Sequence, residues 1–167
     1  METHTTDDQL KPKTPSQSAI TTRYLLMPGN ANAEGVAFGG VILAWIDMVA
    51  AMAAQQHAGR EVVTGGIDSI SFLNPVHIGD HVVLKASVNY VGRTSMEVGV
   101  RVSCQCPYTN KEVIATTAYL TMVALDKNQK PCRIPPIDPR SEQEKRRFEN
   151  AKIRVKTRKE LRTKIKK

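Results

Sequence analysis

Asp47 is the only charged residue in VAFGGVILAWIDMVAAMAA, a nineteen-residue and otherwise apolar run over 36–54. If the run is helical, Leu43, Ala44, Ala50 and Ala51 flank the carboxylate one turn away on either side, and the run holds no Lys, Arg or His. An ionised group in such surroundings is costly without a partner, so something must satisfy it or use it. Three uses are open: general base toward water, nucleophile, or acceptor pinning two chains together. Gly39 and Gly40 stand where the helix should begin, so their N–H groups have no partner within it. Without side chains they admit a carbonyl oxygen closely, and the helix dipole favours negative charge developing there. The alternative is that the glycines only permit close helix–sheet packing. Asn32, in the polar loop before the helix, could orient a water or a carbonyl, or simply cap the helix. Ser69, next to Asp68 in a strand-like run, is a candidate donor behind the carboxylate. Gly92-Arg93-Thr94-Ser95 combines a turn, a guanidinium and two hydroxyls, which suits phosphate oxygens as well as an ordinary hairpin.

Those groups need elements to hold them. Ala19–Met27 reads as a strand closed by Pro28-Gly29, and a polar loop then feeds a helix from about Phe38. Four strand-like runs follow Gly59: Val62–Phe72, Asp80–Tyr90, Ser95–Cys106 and Glu112–Ala124. The gaps between the last three are hairpin-sized, which predicts an antiparallel meander. The helix run is at the lower edge of transmembrane length. The glycine pair and the central Asp47 count against a span, so the expectation is a core helix apolar on every side and buried all round. An antiparallel sheet wrapped around a long central helix, an α+β arrangement, would bury most of it, and a second subunit would bury the rest.

Charge divides the chain. Residues 140–167 carry thirteen Lys/Arg against four Glu, whereas residues 1–139 carry eleven Lys/Arg against twelve Asp/Glu. The net charge of +8 therefore belongs to the tail. Three segments are expected: residues 1–18, polar and disordered; a domain over 19–136; and a basic, helical tail over 137–167 after the Pro-rich PCRIPPIDP. The tail has one aromatic residue, which makes nucleic acid an unlikely principal partner. Residues 1–19 have no apolar core of the signal-peptide kind. Cys104, Cys106 and Cys132 form no disulfide framework or metal-ligand spacing, so reduced thiols in a cytoplasmic protein are expected.

Three motifs in order, NAEGVAFGGVILAWIDM (32–48), SISFLNPVHIGD (69–80) and VGRTSMEV (91–98), resemble the hotdog-fold acyl-CoA thioesterases. The nearest group is the cytosolic acyl-CoA hydrolases, brain-type and compact bacterial, and the likeness runs from about Thr21 to Pro136. The resemblance implies a hotdog dimer with shared sites, commonly a trimer of dimers, hydrolysing acyl-CoA to a free acid and coenzyme A. It implies no metal and no cofactor beyond the coenzyme A carried by substrate and product. By similarity Asp47 is the catalytic carboxylate; Asn32 is supplied by the neighbouring subunit; and Gly92–Ser95 contacts coenzyme A. Phe38 stands where related hotdog enzymes often carry His. Two rival readings remain. One is a hotdog hydratase, disfavoured because none of His4, His57, His77 and His81 lies at the helix start. The other is a non-catalytic acyl-CoA or nucleic-acid binding protein using the tail.

Overall fold

The computed structural model describes residues 10–165. In chain order it contains β1 (Ile20–Leu25), α1 (Gly39–Ala58), β2 (Glu61–Ile67), β3 (His81–Val91), β4 (Ser95–Gln105), β5 (Glu112–Leu125) and α2 (Glu142–Ile165). The five strands form one antiparallel sheet in the order β1-β3-β4-β5-β2, with the predicted β3–β4–β5 meander at its centre. All five strands pack against α1, so the sheet is wrapped around the helix as expected of a hotdog fold.

Alternation along the strands makes this core. Val98, Val100 and Val102 of β4 and Ala118, Leu120 and Met122 of β5 face inward. They meet Ile42, Ile46, Val49 and Ala53 on one face of α1. The helix ends at Gly59, whose left-handed conformation (φ 64°) closes it through a bond from its N–H to the Gln55 carbonyl.

Within one chain α1 is only partly covered, and the sequence reading left the rest to a second subunit. Phe38, Met48 and Met52 are exposed beside Val63, Ile67, Phe72 and Leu73, an apolar face this chain leaves uncovered. The expectation about β2 needs correction. The second strand stops at Ile67 and not at Phe72. Its ladder shifts register between Thr64 and Gly66, and past Ile67 it is held to β5 by Asp68 N–H to the Tyr119 carbonyl and Leu73 N–H to the Ala115 carbonyl. The Asp68 carboxylate pairs with Arg158 of α2, 2.6 Å away.

The tail forms α2 and is docked on the domain. It lies on the outer face of the sheet, with Ala151 buried and Phe148 against Tyr90. Arg154 and Arg158 both reach Glu97, whose side chain is fully buried. The predicted disorder over residues 1–18 lies partly outside the described residues. Residues 10–18 are placed: Lys13 bridges Ile137, and Pro15–Ser18 form a short 3-10 helix. Lys13 Nζ donates to the Gln56 and His57 carbonyls, and Ser18 faces the buried His57 ring. These contacts anchor the segment to the C-terminal end of α1.

Candidate active site

Asp47 projects from the middle of α1 and is partly buried. Its Oδ1 accepts a 2.6 Å hydrogen bond from the Thr64 hydroxyl at the β2 bulge. Thr64 answers the question raised by a lone carboxylate in apolar sequence, and the sequence reading missed it. Only the Gly65-Gly66 pair beside it hinted at an irregular strand. One carboxylate oxygen is thereby oriented, and the other has no hydrogen bond among the described residues.

Gly39 and Gly40 are the first two residues of α1 and are solvent-exposed. The first helical bonds run from Val41 and Ile42 N–H to the Phe38 carbonyl, which leaves both glycine amides without acceptors among the described residues. No acidic side chain occupies this first turn and no side chain caps it. A methyl on Gly39 would sit 3.3 Å from the Phe72 ring, whereas Gly40 has open space around it. Between the helix start and the 72–76 segment lies an apolar cleft of about 310 Å³, lined by Gly39, Ile42, Phe72, Leu73 and Val76. Free amides at the mouth of an apolar slot suit a carbonyl carrying a hydrocarbon chain.

Asn32 does not cap α1, whose N-cap is Phe38. Its Oδ1 accepts from the Glu34 and Val36 N–H groups and holds the loop rigid. The side-chain oxygen is thus committed, and the amide nitrogen is left as a donor. No hydrogen bond links Asn32 to Asp47 within the chain. Ser69 falls beyond the end of β2, exposed and without a hydrogen bond among the described residues. It is not in a strand passing the helix, and Thr64 occupies the position behind Asp47 that Ser69 was expected to fill.

The Gly92–Ser95 segment is a tight hairpin closed by Gly92 N–H to the Ser95 carbonyl (2.8 Å). Arg93 is exposed. The turn forms one wall of a cleft of about 250 Å³ whose other wall is Arg158, Lys159 and Arg162 of α2. Docking of the tail thus brings Lys159 and Arg162 to the turn, two cations that residue spacing alone did not pick out. No hydrogen bond joins this turn to Asp47 in the chain. No group of three or more His, Cys, Asp or Glu side chains among the described residues could hold a metal ion.

Residues 34–108, which hold Gly39, Gly40, Asp47, Thr64 and the Gly92–Ser95 turn, match the family model of the thioesterase superfamily. A Bacillus subtilis protein named as an uncharacterised acyl-CoA thioester hydrolase is 38% identical over 128 residues, 77% of this chain and 74% of its own. The chain belongs to the acyl-CoA hydrolases of the thioesterase superfamily. Within that family, the acyl-CoA hydrolase of Staphylococcus aureus, solved with butyryl coenzyme A, coenzyme A and its disulfide, superposes with a TM-score of 0.86. The two are 38% identical, covering 91% of this chain and 93% of that one. A hexameric acyl-CoA thioesterase solved without ligand gives a TM-score of 0.89 at 38% identity, over 93% of this chain and 99% of its own. The staphylococcal enzyme has also been solved with single alanine substitutions of an aspartate, an asparagine and a threonine. That aspartate follows the asparagine by fifteen positions and precedes the threonine by seventeen. The same separations connect Asn32, Asp47 and Thr64 here.

Proposed function

We propose that this protein hydrolyses acyl-CoA thioesters to a carboxylic acid and coenzyme A, with Asp47 at the centre of the chemistry. The observation that carries the proposal is the arrangement on α1. An oriented carboxylate stands in the middle of the helix, and two unbonded glycine amides open its first turn into an apolar slot. The acyl chain lies in that slot, and the thioester carbonyl oxygen receives the Gly39 and Gly40 N–H groups. Each such donor is worth about 2.7–4 kcal/mol of barrier. Asp47 of the partner subunit, fixed there by Thr64 of the partner subunit, takes a proton from water as it attacks the carbonyl carbon, or attacks directly to give an anhydride that water then opens. In both routes the sulfur leaves as the coenzyme A thiolate.

Asn32 enters as a donor from a neighbouring subunit, because its free amide nitrogen has no role in its own chain's Asp47 environment. The active assembly is a homodimer with shared sites, closed over the exposed face that carries Phe38, Met48 and Met52, and further assembled as a trimer of dimers. Coenzyme A phosphates meet the Gly92–Ser95 turn with Arg93, Lys159 and Arg162, a cationic rim suited to phosphate oxygens. The three cysteines are free thiols, in keeping with a cytoplasmic enzyme.

Release of free thiol from a series of acyl-CoA substrates, followed with a thiol-reactive dye, tests the reading. Wild type should turn over, and Asp47→Asn should not. Hydrolysis at full rate by Asp47→Asn would remove the carboxylate from the mechanism. No release from any acyl chain length would return the protein to a binding role.

A further inference from the structure

A third cleft, of about 420 Å³, lies between α2 and the outer face of the sheet. Strand register places Thr21, Lys85, Arg101 and Thr117 in one row across β1, β3, β4 and β5. Lys85 and Arg101 are therefore direct cross-strand partners, and like charges so placed destabilise a sheet. From above, α2 adds Arg147 and Arg154 to the same cleft, and no Asp or Glu lines it. The contrast with the rest of the helix is sharp. Arg154 and Arg158 are matched to Glu97 and Asp68. Lys85 and Arg101 have no ion pair among the described residues, and Arg147 reaches only the Ser87 hydroxyl at 3.4 Å.

The floor is polar too. Asn89 is 4% exposed and lines the cleft. Its Oδ1 accepts from Ser87, while its amide nitrogen has no partner among the described residues. Gly99 keeps that floor open, because a methyl there would lie 2.5 Å from Asn89 Nδ2. A sheet that sets two cations side by side, under a third and over the Asn89 amide, is arranged for an anion that is not part of this chain.

We infer that this cleft binds a nucleoside phosphate. Guanidinium and ammonium groups flanked by two threonine hydroxyls match phosphate oxygens. The volume lies in the range of small-molecule sites and far exceeds one phosphate, so a sugar and base belong with it. The sheet separates this cleft from α1, so the inference does not depend on the hydrolase reading. Two sources share the chemistry: a free nucleoside diphosphate, and the nucleotide end of coenzyme A.

Calorimetric titration of the full chain with ADP, with coenzyme A and with inorganic phosphate decides the matter. Wild type and Asp47→Asn should bind ADP alike and inorganic phosphate far more weakly. Arg101→Gln with Arg147→Gln should weaken ADP by at least about tenfold, the scale of losing charge-assisted hydrogen bonds. Gly99→Ala, which intrudes on the floor without touching a charge, should weaken it as well. The double variant should melt no lower than wild type without ligand, since the Lys85–Arg101 repulsion is relieved, and should lose the rise in melting temperature that ADP gives wild type. An unchanged acyl-CoA KM in the double variant identifies a free nucleotide as the ligand; a raised KM at constant kcat identifies the substrate's own nucleotide end. Absence of ADP and coenzyme A binding at millimolar concentrations, or affinities indifferent to both sets of substitutions, would overturn the inference.

Discussion

The Thr64 hydroxyl donates a 2.6 Å hydrogen bond to Oδ1 of Asp47, tying the sheet's edge strand β2 to the middle of the central helix. The bond forms where the β2–β5 register slips, between Thr64 and Gly66. It orients the carboxylate, which the proposed attack on a carbonyl carbon requires.

Thr64→Val keeps the shape and deletes the donor. We expect kcat to fall by about 10²-fold, the scale of a misaligned catalytic group, with KM little changed and with Thr64→Ser restoring most of the rate. Asp47→Asn should lose about 10²–10⁴-fold. Steady-state hydrolysis by the four proteins checks this, and a Thr64→Val enzyme at wild-type rate would reduce the bond to a structural tie.

Asp47 was legible because a charge inside an apolar run has to be explained, and Gly39-Gly40 because a glycine pair at a helix start has few uses. Thr64 was not, since a threonine in EVVTGGI is what any strand contains, and its meeting with Asp47 depends on a long-range pairing. The β3–β5 meander could be read from its turns. The end of β2 could not, because residues 68–73 keep strand-like composition, and the pairing of Asp68 with Arg158 joins residues ninety positions apart. The docked tail was hidden for a similar reason. Its anchor is Glu97, a charged residue in a strand that reads as a solvent-facing position until α2 covers it.

Gly39 allows the oxyanion proposal to be isolated. Proline is tolerated at the first helical position, and Phe38 before it is already extended (ψ 131°), as a residue preceding proline must be. Gly39→Pro therefore removes one N–H without breaking a helical bond. Gly39→Ala presents the same Cβ to Phe72 but keeps the N–H. The alanine enzyme should stay within a few fold of wild type, whereas the proline enzyme should lose about 10²–10³ in kcat. Equal rates in the two would move the oxyanion donor elsewhere.

The exposed apolar face of α1 and β2 predicts assembly. Met48 is 48% exposed on the same helix as Asp47, a poor arrangement for a monomer in water. Met48→Glu should shift the protein to a smaller species by light scattering and abolish turnover, because Asn32 would no longer reach a neighbour's Asp47. A monomeric wild type with full activity would contradict the shared site.

His57 gives a pH dependence whose sign is fixed. It is fully buried, its ring between the Ser18 hydroxyl (3.3 Å) and the Pro135 carbonyl (3.0 Å). Burial, reinforced by the Lys13 ammonium, pushes its pKa below the ordinary imidazole value, although the Pro135 carbonyl opposes the shift. The unfolded chain therefore binds this proton first as pH falls. Stability is complete above about pH 6.5 and declines below it, by at most about 1.4 kcal/mol per pH unit from this group. Thermal melts from pH 8 to 5 should show the decline, and His57→Gln should flatten it even though the variant starts less stable.

The clamp on Glu97 allows a test of how the tail is held. Its carboxylate is fully buried, whereas Arg154 and Arg158 are 25% and 19% exposed. Replacing both arginines by methionine strands the charge and should cost about 3–5 kcal/mol in denaturant unfolding. Adding Glu97→Met removes the stranded charge and should recover most of the loss, because an apolar trio of similar volume can replace a buried ion cluster. If the triple variant were no better than the double, the loss would instead come from α2 packing, most simply from the stacking of Arg154 on Tyr119 at 3.7 Å. In either case, deletion of residues 140–167 uncovers Glu97, Tyr90 and Tyr119 and should lower the melting temperature of the whole domain, which a solvated tail would not do.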